Sequence, residues 1–236
     1  MEGCRRPPLA IKVVIVTAFP PELETWIRLL PLSEELPFPQ SPIGSALRLH
    51  RSLGVLGIVS GMGPFRAATS VLALGYDDRF DLRQSYWIVA GIAGVDPRHG
   101  SIGSVFLPER LIGSGGDYFV DGVGHVPHNR TDADYSPPFP TARAAVMRGM
   151  LHELHPPLVA RALAIVSAVT LPDTRRLREA RDGYVELAAR RAPSIARGDS
   201  LTGGSFWVGR TSTEWARNGK RLSHVHICAH VHTHTH

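Results

Sequence analysis

The segment Ile11 to Thr17 reads Ile-Lys-Val-Val-Ile-Val-Thr, apolar at nearly every position and mostly β-branched. A strand with one wet face alternates polar and apolar residues. A run without alternation fits a strand buried on both faces, here a central one. Leu53 to Val59 and Ser85 to Ile92 repeat the pattern, and each run ends in turn formers: Pro20-Pro21, then Ser60-Gly61-Met62-Gly63, then Gly91, Gly94 and Pro97. Between them, Leu23, Trp26, Ile27 and Leu30 recur at helical spacing over Glu22 to Leu30, as do Ala67, Ala68, Val71, Leu72 and Leu74 up to Gly75. Strand, glycine turn, helix and strand in this order predict an α/β fold: one three-layer domain with a mostly parallel central sheet. Ile11–Thr17, Val55–Ser60 and Ser85–Gly91 are expected side by side in that sheet.

Ala46 to His50 forms a hairpin with Leu53 to Val59 in this reading, and Ser101 to Ile112 is a further strand. Residues 113–141, rich in Gly, Asp, His and Pro, make an excursion of a length that usually carries function. Helices are expected over Thr141 to His152, Pro157 to Val169 and Asp173 to Arg191, the last capped by Asp173. A glycine-spaced, aromatic-bearing segment, Gly198 to Gly209, follows.

A chain of 236 residues can bury a core without staples. Its formal charge of +5 comes from 26 Lys and Arg against 21 Asp and Glu, yet only Lys12 and Lys220 are lysines. The scattered arginines read as a solvated face, so no nucleic-acid partner is expected. Two cysteines, Cys4 and Cys228, cannot form a secreted disulfide framework. With no signal peptide and no apolar stretch of the ~18 residues a spanning helix needs, the expected location is cytoplasmic.

Six of the twelve histidines fall in the last thirteen residues, His224 to His236. Alternate imidazoles on an extended chain could hold Zn, Ni or Cu, but structural metal sites use spaced ligands inside a fold. The tail is therefore read as low-complexity sequence, without a metal or cofactor, and a His-rich metal-binding protein stays a competing reading.

In open α/β sheets ligands bind beyond the carboxyl ends of the strands. That directs attention to the turns after Thr17, Ser60 and Gly91 and to the segment near Asp199. At Ser60-Gly61-Met62-Gly63 two glycines let backbone approach a ligand, though such turns are often purely structural. Glu22 reads equally well as a general base or as a carboxylate facing a helix N-terminus.

Several stretches together resemble the nucleoside phosphorylase/nucleosidase superfamily, and within it most closely the purine nucleoside permease family. They are Lys12-Val-Val-Ile-Val-Thr-Ala-Phe-Pro-Pro-Glu22 with Trp26, Ser60-Gly61-Met62-Gly63 with Ala67-Ala68, the block Tyr86 through Pro97 centred on Ile92, Gly100 to Val105, Ala192-Pro193, and Gly198-Asp199 through Phe206-Trp207 to Gly209. The resemblance implies a nucleoside phosphorylase-like domain over residues 1–216, an off-family tail over 217–236, and a purine nucleoside as partner. It implies Glu22 as the catalytic residue that activates water. Gly61 and Gly63 would line the phosphate or water side of the ribose, Ala90, Gly91 and the backbone to Gly94 the floor of the base site, and Asp199, Phe206 and Trp207 the strand that stacks on the purine.

Two departures from the resemblance qualify its implications. Phosphorylases of this fold carry a Gly-Asp-Pro turn after the first strand and Arg-x-Gly-Ser/Thr at the third; here Ala18-Phe19-Pro20 and Val89-Ala90-Gly91-Ile92 stand instead, so hydrolysis is favoured over phosphorolysis. No Met-Glu pair follows Trp207, where the family carries a Met-Glu-Asp type motif that grips ribose and helps the purine leave. The chain is thus expected to be C-terminally incomplete, weak or inactive as an enzyme, and prone to homo-oligomerise through exposed apolar surface. The alternative is a noncatalytic nucleoside-binding remnant.

Overall fold

A computed structural model describes residues 7–113, 151–202 and 228–229. Two compact units divide the chain, Met1–Ile92 and Ala93–His236. The first contains β1 (Leu9–Ala10), β2 (Val13–Thr17), α1 (Pro20–Leu29), β3 (Glu34–Leu36), β4 (Leu47–His50), β5 (Val55–Val59), α2 (Pro64–Gly75), β6 (Phe80–Asp81) and β7 (Tyr86–Val89). Its five-stranded sheet has the order β3-β4-β5-β2-β7. The sheet is parallel where β2 lies between β5 and β7, with Ile15 opposite both Gly57 and Ile88, and antiparallel through β3, β4 and β5. The three apolar runs are therefore adjacent as expected, and the β4–β5 hairpin supplies the antiparallel part.

Side chains on a strand alternate between faces, and β2 and β5 are apolar on both. Ile15, Val55 and Val59 join Leu23 and Leu32 beneath α1, with Trp26, Ile27 and Leu30 packed against them. Val14, Val16, Leu56 and Ile58 point the other way, into a cluster with Phe38, Leu47, Leu49, Phe80 and Leu74 of α2. This unit is thus a helix–sheet–helix sandwich.

The expectation for Ser85 to Ile92 needs correction. β7 is the last strand of its sheet among the described residues, and Tyr86, Trp87, Ile88 and Val89 are all exposed, Val89 to 80%. Apolar content fixed the strand but could not say whether anything covers it. Both helices also begin earlier than their apolar spacing implied, because prolines occupy their first turn, where the missing N–H costs nothing and φ is already helical.

The second unit contains β8 (Gly94–Val95), β9 (Val105–Gly113), β10 (Leu151–Glu153), α3 (Pro156–Val166), α4 (Arg175–Asp182), β11 (Ile195–Thr202) and β12 (Cys228–Ala229). β9 pairs antiparallel with β10 and parallel with β11, whose register shifts between Gly198 and Asp199. β12 pairs antiparallel with β8.

Three helical expectations change. Leu151–Glu153 is a strand on β9 rather than the end of a helix, while residues 141–150 lie outside the described ones. α4 is capped by Thr174, whose hydroxyl accepts from Leu177 N–H at 3.3 Å, because Asp173 is engaged by Arg181. It stops at Asp182, before Gly183, rather than reaching Arg191. Phe206, Trp207, residues 114–141 and all of the His-rich tail except Cys228 and Ala229 lie outside the described residues. No described helix is long and apolar enough to cross a membrane.

Candidate functional site

Because β2, β5 and β7 are parallel, the turns that follow them share one end of the sheet. Hydroxyls secure that end. Ser60 donates to the Thr17 carbonyl through both its backbone N–H, at 2.7 Å, and its Oγ, at 3.1 Å. Ser70, fully buried on α2, donates from Oγ to the Ser60 carbonyl at 2.7 Å, and Thr17 Oγ1 donates to the Ile58 carbonyl at 3.3 Å. Carbonyls left over where the ladder ends would otherwise be buried without partners, which costs about 1–3 kcal/mol each. Thr17 and Ser60 bound turns that the sequence already singles out, whereas Ser70 lies within α2 and carries no distinguishing spacing.

Gly61 and Gly63 adopt φ of 85° and 89°, a left-handed region that penalises any side chain. A Cβ at Gly61 would also meet Ile43 Cγ2 at 2.9 Å and Arg66 Cβ at 3.0 Å. The turn delivers the chain to Pro64, the first residue of α2, so its conformation depends on glycine at both places.

Glu22 stands in the first turn of α1, where a carboxylate complements the helix dipole. Its Oε2 accepts from Ala18 N–H at 2.7 Å and Phe19 N–H at 3.3 Å, and its Oε1 accepts from Ile92 N–H at 2.8 Å. Only 8% of the residue is exposed. The side chain therefore joins the turn after β2 to the turn after β7. Gly91 permits the approach: a Cβ there would stand 2.9 Å from Glu22 Oε1. Ala90 N–H donates to the Val16 carbonyl at 2.9 Å, extending the β2–β7 ladder to the edge of the turn.

The structure thus brings Glu22, Gly61, Gly63, Ala90 and Gly91 to one end of one sheet. A carboxylate oxygen has two lone pairs. Oε1 is engaged once in this arrangement, which leaves it able to accept from a water or a hydroxyl.

Gly94 and Asp199 belong to the second unit. Gly94 pairs with Ala229 in the β8–β12 ladder. Asp199 is 2% exposed and accepts the Arg110 guanidinium on both oxygens, from Nε at 3.1 Å and Nη2 at 2.6 Å. That bond holds Arg110 above the ordinary guanidinium range. Asp199 is accordingly a cross-strand anchor between β11 and β9. Among the described residues no group of three or more His, Cys, Asp or Glu could hold a metal ion.

Residues 10–229 match the family described as purine nucleoside permease (NUP). A probable purine nucleoside permease of Schizosaccharomyces pombe is 26% identical over 231 residues, covering 88% of this chain and 63% of that protein. A purine nucleoside permease of Candida albicans is 26% identical over 220 residues, with 88% and 53% covered. The chain therefore spans between about half and two-thirds of the length of these relatives. Among solved structures, a 5'-methylthioadenosine/S-adenosyl homocysteine nucleosidase of Helicobacter pylori superposes with a TM-score of 0.59 at 13% identity, covering 94% of this chain and 76% of that one. Futalosine hydrolase of the same organism gives a TM-score of 0.57 at 13% identity, covering 94% and 78%. At these identities the likeness establishes the nucleoside phosphorylase-like α/β fold.

Proposed function

From the premise that this chain belongs to the purine nucleoside permease family, we propose that it binds a purine nucleoside and that its candidate site serves attack of water, not phosphate, on the N-glycosidic bond. Nucleoside binding is common to uptake and to cleavage, so the family name and the nucleosidase fold support the same ligand. The observation that carries the choice of water is the seating of Glu22. Phosphorolysis needs donors for an anion at the turns after the first and third strands of the parallel set. Here the N–H groups of Ala18, Phe19 and Ile92 at those turns already bind a carboxylate. An incoming phosphate would find the donors occupied and a negative charge beside it.

In this reading Glu22 accepts a proton from a water held on Oε1 as the water oxygen attacks the anomeric carbon. The bond from that carbon to the purine nitrogen breaks, and its electron pair leaves with the base. General-base assistance of this kind contributes about 10²–10⁴-fold.

The geometry also dictates the choice of variant. Glu22→Gln is the mild probe by shape, but its NH₂ would face backbone N–H donors whichever way the amide turned. Glu22→Ala avoids that clash. The test is release of free base from adenosine, inosine and guanosine at high protein concentration, with and without phosphate, alongside equilibrium binding of each nucleoside. Slow release without phosphate that falls at least about 100-fold in Glu22→Ala, with binding retained, is the expected result. Strict dependence on phosphate, or unchanged release in Glu22→Ala, overturns the assignment.

A further inference from the structure

We infer that Gly91 is a positioning residue for Glu22: its lack of a side chain lets the carboxylate reach Ile92 N–H and fixes the direction in which Oε1 faces the site. The inference rests on the reading of Glu22 as the water-activating base and assigns Gly91 a role distinct from that of a floor beneath the purine.

Three observations carry it. A Cβ on Gly91 would lie 2.9 Å from Glu22 Oε1, 3.4 Å from Cδ and 3.6 Å from Oε2, with the carboxylate supplying its three nearest neighbours. Gly91 is not among the positive-φ glycines of the chain, so alanine fits the backbone there and conformational freedom does not explain the residue. The group a methyl would strike is also the far end of a flexible side chain, which can swing aside at little cost to the fold. The same substitution at Gly61 would strike a β-branched side chain and a Cβ atom, and would be strained as well. Gly91 is therefore a place where a single methyl group displaces the carboxylate without dismantling the sheet.

Holding both oxygens matters because Oε2 is bound locally, by the N–H groups three and four residues before Glu22, whereas Oε1 is bound by a residue seventy positions away. The local bonds survive rotation of the carboxylate far better than the distant one. Losing the bond to Ile92 leaves Glu22 present, ionisable and close to its place, but with Oε1 no longer aimed. Misplacement of a reacting group by about 1 Å typically costs on the order of 10²-fold in rate.

The test compares the full chain with Gly91→Ala and, as a control, Gly75→Ala, whose added methyl meets nothing within 4 Å. In ¹⁵N-labelled protein the amides of Ala18 and Ile92 should respond together as pH carries Glu22 through its titration. In Gly91→Ala the Ile92 response should disappear while that of Ala18 remains. Single-turnover release of purine base should fall on the order of 10²-fold with nucleoside affinity unchanged, and Gly75→Ala should match the parent in all three readouts. An Ile92 amide that still follows Glu22 in Gly91→Ala, or an unchanged release rate, overturns the inference. Should Gly91→Ala fail to fold, the parent and Glu22→Ala decide it: an Ile92 titration present in the first and absent in the second supports the contact, and one present in both refutes it. A parent protein that shows the coupled titration but releases base only with phosphate refutes the hydrolytic reading while leaving the carboxylate contact intact, so the two failures are distinguishable.

Discussion

Among the described residues, the two units of the chain differ in what they bury. Of the sixteen apolar residues that are essentially buried among the described ones, fifteen lie in the first unit and only Ala189 in the second. Among the described residues the first unit also buries the polar Thr17, Glu22, Ser60 and Ser70, while the second buries Asp96, Ser101, Arg181 and Asp199, three of them charged. It secures them with Arg98 on Asp96, Arg110 on Asp199 and Asp173 on Arg181, and adds an exposed Arg197–Glu109 pair. Apolar burial is non-directional and tolerates small shifts, whereas a buried ion pair must keep its geometry to offset the loss of hydration. The proposed catalytic carboxylate stands on the first kind of scaffold, at the end of β2, which is packed on both faces, and reaches across to the turn after the exposed β7. A rigid platform of that kind suits a group that must be aimed.

The largest effect that tests this contrast is a core truncation. Leu56 is fully buried at the centre of the first unit's sheet, while Leu187 in the second is 78% exposed. Leu56→Ala should destabilise by about 2–5 kcal/mol, and Leu187→Ala should change stability by no more than about 0.5 kcal/mol. Denaturant unfolding of both variants measures this directly. Similar costs at the two positions would mean that the second unit also depends on apolar packing there, and the contrast would fail.

An intermediate effect probes the polar scaffold. Asp199 is nearly inaccessible and binds Arg110 through both oxygens. Asp199→Ala removes the buried carboxylate of a pair whose arginine is 31% exposed and can be hydrated, at a cost of about 1–3 kcal/mol. That loss should be confined to one unit: hydrogen exchange should speed up in β9 and β11 and stay unchanged in β2 and β5. Equal acceleration in both units would show that they unfold as one, and would sharpen the comparison into a statement about cooperativity.

The same contrast explains which features were legible in the sequence. Continuous apolar runs specify β2 and β5 because burial on both faces leaves no other pattern, and the glycines of the Gly61–Gly63 turn announce a conformation that other residues avoid. Ser85 to Ile92 had the composition of a buried strand, yet exposure depends on what lies beside a strand, which its own residues do not encode. Capping by Thr174 in place of Asp173 was decided by Arg181, eight positions further on. At the candidate site, Glu22 was visible as a carboxylate in a helix's first turn, and its bonds to Ala18 and Phe19 follow from that position. The bond to Ile92 spans seventy residues; only the fold could supply it. The pairing of Asp199 with Arg110 likewise depends on the register of β11 against β9.

The smallest expected effect concerns two aspartates that each face an arginine, one in each unit. The hydrogen bond from Arg83 lowers the Asp81 carboxyl to about 2, and that from Arg181 lowers Asp173 below its ordinary range. A carboxylate whose folded value is depressed adds stability at pH above its unfolded value, about 3.9, and loses that contribution as pH falls towards the folded value. For Asp81 the window therefore runs from about 4 down to about 2. Arg83 is 86% exposed, and solvent-exposed pairs contribute little to stability. Arg83→Ala should consequently raise the Asp81 titration midpoint towards 3.9, read from its carboxyl ¹³C shift, while leaving the melting temperature at pH 7 unchanged. Arg181 is 5% exposed on its side chain and meets Asp173 at 2.8 Å, so Arg181→Ala should raise the Asp173 midpoint and also lower the melting temperature. A titration change without a stability change at Asp173 would place that pair in the same class as Asp81–Arg83. The claim that the second unit is held by its buried charges would then rest on Asp199 and Asp96 alone.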